Sequence, residues 1–307
     1  MTAFKEGIPD DFSDPICLPA NPDQARSWQE ASRLWWETNP MRYDWKETIS
    51  SEEFTREFYD EIDERFLSSV REFMPWQEIP FDPLIDFESL RDKDVLEIGV
   101  GNGTHAGLLS QYARSYTGID LTEYAVKSTS QRIRLLGRKA SIMQMDAEHL
   151  QFADNSFDLI WSWGVIHHSS NTAKILKEIH RVLRPAGQAI TMVYYRSLWS
   201  YYVVNVLFRG ILQGQLLKTR SLHKINQLQT DGAIARFYSR HDWNVGVSDL
   251  FDIERLLVYG TKAELIPLPA GKVKNLVTRL IPDGASRLLT NRCRLGTFLV
   301  SSLRKRD

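Results

Sequence analysis

Cysteine is scarce in this chain: its 307 residues hold two, Cys17 and Cys293. Neither has a close partner at metal-ligand spacing, so neither a disulfide framework nor a metal site is expected. Residues 1–6 carry no apolar run, which argues against a signal peptide and makes the cytoplasm the expected compartment. The most apolar stretch, 198–217, is interrupted by Asn205, Arg209, two glutamines and two glycines. A membrane span wants about 20 mostly apolar residues. The stretch is therefore read as a buried or substrate-facing helix, and no stable span is expected. Excess charge is also missing. Lys and Arg number 38 against 39 Asp and Glu, a net charge of -1. That lacks the basic field with which nucleic-acid binders attract phosphates, so no nucleic-acid partner is expected. Arg304, Lys305 and Arg306 are read as a solvated end. With 43% hydrophobic and 25% charged residues, the chain can bury a core.

Residues 1 to about 25 hold four prolines and several aspartates, the composition of an extended arm. Trp28, Ala31, Ser32 and Trp35 follow helical spacing, and Pro40 should stop that helix. A second helix is expected from Ser50, with Glu53 completing a capping box, because Phe54, Phe58, Ile62 and Phe66 recur every four residues. From Asp94 onward, short apolar runs alternate with amphipathic helices, the pattern of a parallel sheet with crossover helices. Strands are read at 94–98, 115–119, 140–145, 157–162 and 189–194, with helices at 104–113, 123–136 and 172–183. Two more strands are read at 252–259 and 296–302.

The strongest local signal is Val95 to Thr104, a strand that ends in Gly99-Val100-Gly101-Asn102-Gly103 and opens into a helix. Glycines let a backbone approach a ligand closely, and a helix N-terminus offers unpaired N–H groups. Such a loop alone is weak evidence. Here the spacing is G-x-G-x-G with Glu97 just ahead, unlike the dinucleotide G-x-G-x-x-G. Asp120 then ends the second strand, where a carboxylate can accept both hydroxyls of a ribose. Asp146 ends the third, where it can accept from an adenine amine. All three acids fall on the carboxyl edge of the sheet, where ligands bind in open α/β folds.

Residues 94–195 resemble the class I S-adenosylmethionine-dependent methyltransferases, in particular the branch similar to ubiquinone- and menaquinone-biosynthesis methyltransferases. The match runs in order through Glu97–Gly103, Gly118-Ile119-Asp120, Gln144 to Glu148, Ser156 to Ile160, and Val182 to Gly187. Ala186 stands where the family often has glycine. The resemblance implies an α/β, doubly wound, mostly parallel seven-stranded sheet of Rossmann-like type, with an N-terminal helical cap and C-terminal helical insertions. It implies residues 1–90 as arm and lid, 91–195 as cofactor core, and 196–307 as acceptor-side helices plus the last two strands. It also implies S-adenosyl-L-methionine as cofactor and S-adenosyl-L-homocysteine as product. Glu97, Gly99, Gly101 and Gly103 would take its methionine part, Asp120 its ribose, and Asp146 and Ala147 its adenine, with Asn102 and Leu121 also among the cofactor-binding residues. Trp163 would lie beside the sulfonium.

For the acceptor, His167 and His168 leave the fourth strand beside the expected methyl group, and either is a candidate general base, His167 slightly ahead. Tyr195 is a further catalytic candidate. Tyr194 and Arg196 at the end of the fifth strand, and Tyr238 and Arg240 in the run Arg236 to His241, are candidates for orienting a polar or anionic acceptor. A helix start capped at Ser239 is the competing reading of that run. Trp35, Trp36, Met41, Tyr43 and Trp45 are candidates for a lid, with plain core packing as the competing reading. The segments 198–217 and 273–280 are expected to roof an acceptor site, and their apolar character suggests a hydrophobic acceptor. The expectation is thus an enzyme (EC 2.1.1.-) that methylates a small molecule at oxygen or carbon, with room for a homodimer. A non-catalytic cofactor-binding partner and an NAD(P)-dependent reductase are the alternatives.

Overall fold

The structure is a computed structural model that describes residues 9, 11–44, 47–268 and 271–306. Trp45 and residues 1–6, on which two of the expectations rest, lie outside the described residues. Apolar β-branched runs bounded by turns form the strands β1 (Asp94–Ile98), β2 (Ser115–Asp120), β3 (Ser141–Gln144), β4 (Phe157–Trp163) and β5 (Leu183–Tyr195). All pair in parallel, in the order β3-β2-β1-β4-β5. Chain crossovers are the helices α3 (Thr104–Tyr112), α4 (Glu123–Leu135) and α5 (Thr172–Val182). The sheet continues with the two-residue strand β6 (Phe237–Tyr238), beside β5, and with β7 (Phe251–Tyr259) and β8 (Phe298–Lys305). β8 lies antiparallel between β5 and β7. The sheet is therefore seven strands along its main path plus β6, a strand too short to show as an apolar alternation.

The two faces of the sheet bury separate cores. One holds Leu96, Ile98, Ile160, Ile175, Ile179 and Val193 under α5. The other holds Val95, Leu109, Leu159, Trp161 and Ile190 together with Phe66, Val70 and Phe73 of α2 (Arg56–Phe73). α2 begins six residues later than its apolar spacing suggests. Phe54 takes a left-handed backbone conformation with φ 67°, and Thr55, not Ser50, caps the helix by accepting from Phe58 N. α1 (Pro22–Thr38) ends before Pro40. Ala186 has φ 59° in an irregular start to β5, where the register shifts against β4. A left-handed position of this kind accounts for a glycine preference.

Two buried arginines tie the outer segments to this frame. Arg132 of α4 pairs with Asp63 of α2, which also accepts from Thr104 Oγ1 at 2.7 Å. Arg236 donates to the backbone carbonyls of Cys17, Ser169 and Ser170. No helix among the described residues is long and apolar enough to cross a membrane.

Candidate functional site

The turn after β1 is built around three left-handed glycines, Gly99, Gly101 and Gly103. Gly99 N donates to Ile119 O at 2.8 Å, which locks the turn to β2. A Cβ on Gly99 would come within 2.2 Å of Val165 Cγ2. At Gly101 a Cβ would meet nothing within 4 Å. Gly99 is thus glycine for packing, whereas Gly101 presents bare backbone to open space. Gly99→Ala is expected to cost about 3 kcal/mol in denaturant unfolding, from the left-handed backbone and the collision together. Adding Val165→Ala should recover part of that loss; no recovery would show that the collision is not the cause.

Asp120 sits beneath this turn. Its Oδ2 accepts from Gly101 N at 3.1 Å, and its Oδ1 accepts from Thr122 N at 3.0 Å and Thr122 Oγ1 at 2.8 Å. Burial pushes its carboxyl up, against the pull of these donors. Asp146 Oδ1 accepts from Glu148 N at 2.8 Å and from Gln29 Nε2 at 2.9 Å. Both acids, with Leu121, Ala147, Gly99 to Gly103 and Trp163, line one cavity of about 810 Å³. Glu97 does not reach it. It is fully buried behind the wall, where it accepts from Tyr116 Oη, and burial pushes its carboxyl up to about 8.

Glu97 is therefore protonated in the fold at pH values where it is ionised in the unfolded chain. The folded state binds the extra proton, so stability is expected to fall as pH rises from about 4.5 to about 8 and to level off above that. Glu97→Gln should flatten this slope in urea titrations across that window; an unchanged slope would assign it to another group.

α1 closes the cavity from above. Gln29 bridges Asp146 and Ser170 N, Ser32 Oγ donates to His168 O at 2.6 Å, and Glu37 accepts from Glu123 N and Tyr124 N at the start of α4. Trp36, Met41 and Tyr43 line the cavity, whereas Trp35 does not. Asn102 holds this lid to the glycine turn by donating to Met41 O at 2.7 Å.

Beyond Trp163 the cavity extends past Met192, Tyr194, Phe73 and Phe298 to Thr261 and Glu264. Trp163 stacks on Trp161 with centroids 5.4 Å apart, and both rings pack on His105, which burial holds neutral by pushing it down to about 3. Glu264 is pushed up to about 7 by burial, opposed by hydrogen bonds from Thr261. His168 also lines the cavity. Its Nδ1 lies 2.6 Å from Ile234 O, so Nδ1 carries the proton and Nε2 is the basic nitrogen.

Gly99 to Gly103, Asp120 and Asp146 are thus brought together at one end of a single cavity on the carboxyl edge of β1 to β4. Residues 96–191 match the family described as methyltransferase domain. Residues 96–191 are a methyltransferase domain. Within it, 100 residues are 38% identical to the phthiotriol/phenolphthiotriol dimycocerosates methyltransferase of Mycobacterium tuberculosis, covering 32% of this chain and 36% of that protein. The uncharacterized methyltransferase YcgJ of Bacillus subtilis is 34% identical over 102 residues, 33% of this chain and 40% of its own. The matched segment thus spans well under half the length of either relative. The solved structure of YcgJ aligns over 72% of this chain and 96% of its own, at 22% identity and a TM-score of 0.48.

Away from the glycine turn, several expected site residues are used otherwise. His167 is fully buried off the cavity, its ring tilted against that of Tyr194 with centroids 4.1 Å apart. Its ring nitrogens have no hydrogen-bond partner among the described residues, and burial pushes its pKa well below the usual value. Tyr195 packs into the core, its N donating to Thr297 O. Arg196 pairs with Asp242 at 2.5 Å. Tyr238 is buried on β6 against Trp243, and Arg240 opens the helix Arg240–Val247, capped by Ser239. None of these five lines the cavity, nor does any residue of 198–217 or 273–280. The roof expected from those two segments is not there. The cavity instead carries Gln29, His105, Thr261 and Glu264, which sequence reasoning missed. The one legible signal among them is Thr261-x-x-Glu264, the spacing of a capping box.

Proposed function

We propose that the protein is an S-adenosylmethionine-dependent methyltransferase of a small, largely apolar acceptor, methylated at oxygen or carbon. The observation that carries this reading is one cavity joining Gly101, Asp120 and Asp146 to a chamber of Tyr194, Phe73 and Phe298. The name of the mycobacterial relative, which specifies dimycocerosates, supports a small-molecule acceptor. An anionic acceptor has little support. Arg65 is the only lysine or arginine on the cavity wall among the described residues, against Glu47, Glu72, Asp120, Asp146, Asp231 and Glu264. In this reading residues 1–90 are arm and lid, 91–195 the cofactor core, and 196–307 the acceptor side and the last strands.

The residues fit the cofactor. Gly101 leaves room for its amino-acid end, Asp120 suits ribose hydroxyls, Asp146 suits the adenine amine, and the Trp163 face suits a positive sulfur. When bound, S-adenosylmethionine supplies an electrophilic methyl group and departs as S-adenosylhomocysteine. The chain's own tasks are to hold the acceptor in line, exclude water and take a proton from it. α1 and Met41 exclude water. Glu264 takes the acceptor's proton onto its carboxylate as the acceptor's electron pair goes to the methyl carbon, and His168 is the second candidate for that role. The test is calorimetry with S-adenosylmethionine and with NADH, followed by transfer of labelled methyl to quinone precursors and long-chain phenols. Micromolar binding of the first and none of the second is expected. The reverse pattern would overturn the reading.

A further inference from the structure

We propose that the helices Leu198–Leu212 and Lys272–Leu280 form a docking face for an anionic lipid bilayer. Apolar side chains on a folded surface are ordinarily scattered, and a contiguous set marks a contact. Here they are concentrated on two neighbouring helices. Along the wide-wound helix Leu198–Leu212, the residues Leu198, Tyr202, Leu207 and Ile211 recur every four or five positions and are all exposed. Leu198 and Leu212 are each 69% exposed. On Lys272–Leu280, Val273, Leu276 and Leu280 share one face, and Leu280 is 74% exposed. The short helix Lys262–Leu265 packs against both. Leu217, on the short helix Gln215–Thr219 that packs against Leu198–Leu212, is 84% exposed and extends the set.

Charge decides the occupant. Segments 198–229 and 271–294 hold ten lysines and arginines against one acid, Asp283. That is a net +9 in a chain whose total is -1. Asp283 is itself paired with Lys262. Exposed Lys218, Arg220, Lys272, Arg279, Arg292 and Arg294 thus accompany the exposed leucines. Apolar side chains with basic residues beside them suit an anionic membrane surface, the apolar part entering the headgroup boundary and the cations meeting lipid phosphates. A second copy of this chain is disfavoured, because the face would meet its own positive charge. The helix Lys262–Leu265 also carries Glu264 on the cavity wall. The docked orientation would therefore put the acceptor end of the cavity next to lipid. The docking itself does not depend on the proposed reaction.

The test is flotation of the full chain with vesicles of phosphatidylglycerol and phosphatidylcholine, compared with phosphatidylcholine alone. Flotation with the mixed vesicles is expected, with little on the neutral ones. Raising ionic strength from about 0.1 M to about 1 M, which shortens the screening length about threefold, should weaken it strongly. The pairs Leu207→Glu with Ile211→Glu and Leu276→Glu with Leu280→Glu should each reduce the floated fraction at least tenfold. Lys218→Ala with Arg220→Ala should weaken binding by roughly fivefold for each charge removed. All six residues are exposed, and S-adenosylmethionine calorimetry on each variant checks that the fold is intact. No flotation, equal flotation on neutral vesicles, or leucine variants that float like the parent would each overturn the proposal. So would a dimer in sedimentation that the leucine variants dissolve. Flotation without cofactor binding would leave the docking face standing and remove the proposed reaction instead.

Discussion

Glu264→Gln is expected to lower kcat for methyl transfer by about 10²–10³-fold while leaving the dissociation constant for S-adenosylmethionine within about twofold, since a positioned general base is worth about that much. The amide keeps the shape and the hydrogen bonds from Thr261 but cannot take a proton. Burial has raised this carboxyl to about 7, against the hydrogen bonds from Thr261. A base must be ionised to act. The parent rate should therefore rise with pH through about 7 and then level, and the variant should lose that limb. Glu264→Asp, which retains a base on a shorter arm, should keep part of the rate and all of the pH shape. His168→Gln is the control. If its loss is the larger and carries the pH limb, the proton goes to His168 Nε2. If neither variant changes the profile, the acceptor needs no base from this chain.

The glycine-turn end of the cavity was legible in the sequence because its parts are local. A strand, a glycine turn and an acid at the strand tip are neighbours in the chain, and the parallel order of β1, β2 and β3 carries Asp120 and Asp146 to the same edge. The rest depends on contacts that span the chain. Gln29 meets Asp146 across 117 residues, and Glu264 reaches the cavity from a helix of four residues that gives no periodic signal. Residue type alone misled where a nearer partner absorbed the side chain. Arg196 has the charge to hold an anion, but Asp242 takes it up. Arg240, in the run read as an acceptor site, instead opens a helix capped by Ser239, and Arg236 at the head of that run binds three backbone carbonyls. His167 and His168 are adjacent in sequence, yet the short turn Ile166–His168 points one into the core and leaves the other on the cavity. The apolar stretches 198–217 and 273–280 were read as a roof because hydrophobicity reports what a surface dislikes, not which surface it faces.

Asp120→Ala is expected to raise the dissociation constant for S-adenosylmethionine about 100-fold or more, the consequence of removing two charge-assisted hydrogen bonds worth roughly 1.5–3 kcal/mol each from the ribose hydroxyls. A second effect adds to the first. Asp120 also accepts from Gly101 N and from Thr122, so its loss leaves buried donors without an acceptor at the glycine turn. Unfolding should therefore become easier by about 1–3 kcal/mol. Asp120→Asn separates the two effects. Its single carbonyl oxygen can serve Thr122 or Gly101 but not both, and its amide cannot accept from a ribose hydroxyl. Stability should recover more than affinity does. Calorimetry and denaturant titration on the same pair of variants read the two quantities independently. Affinity that survives both substitutions would remove Asp120 from the ribose, and with it the reason to place a nucleoside between the glycine turn and α1.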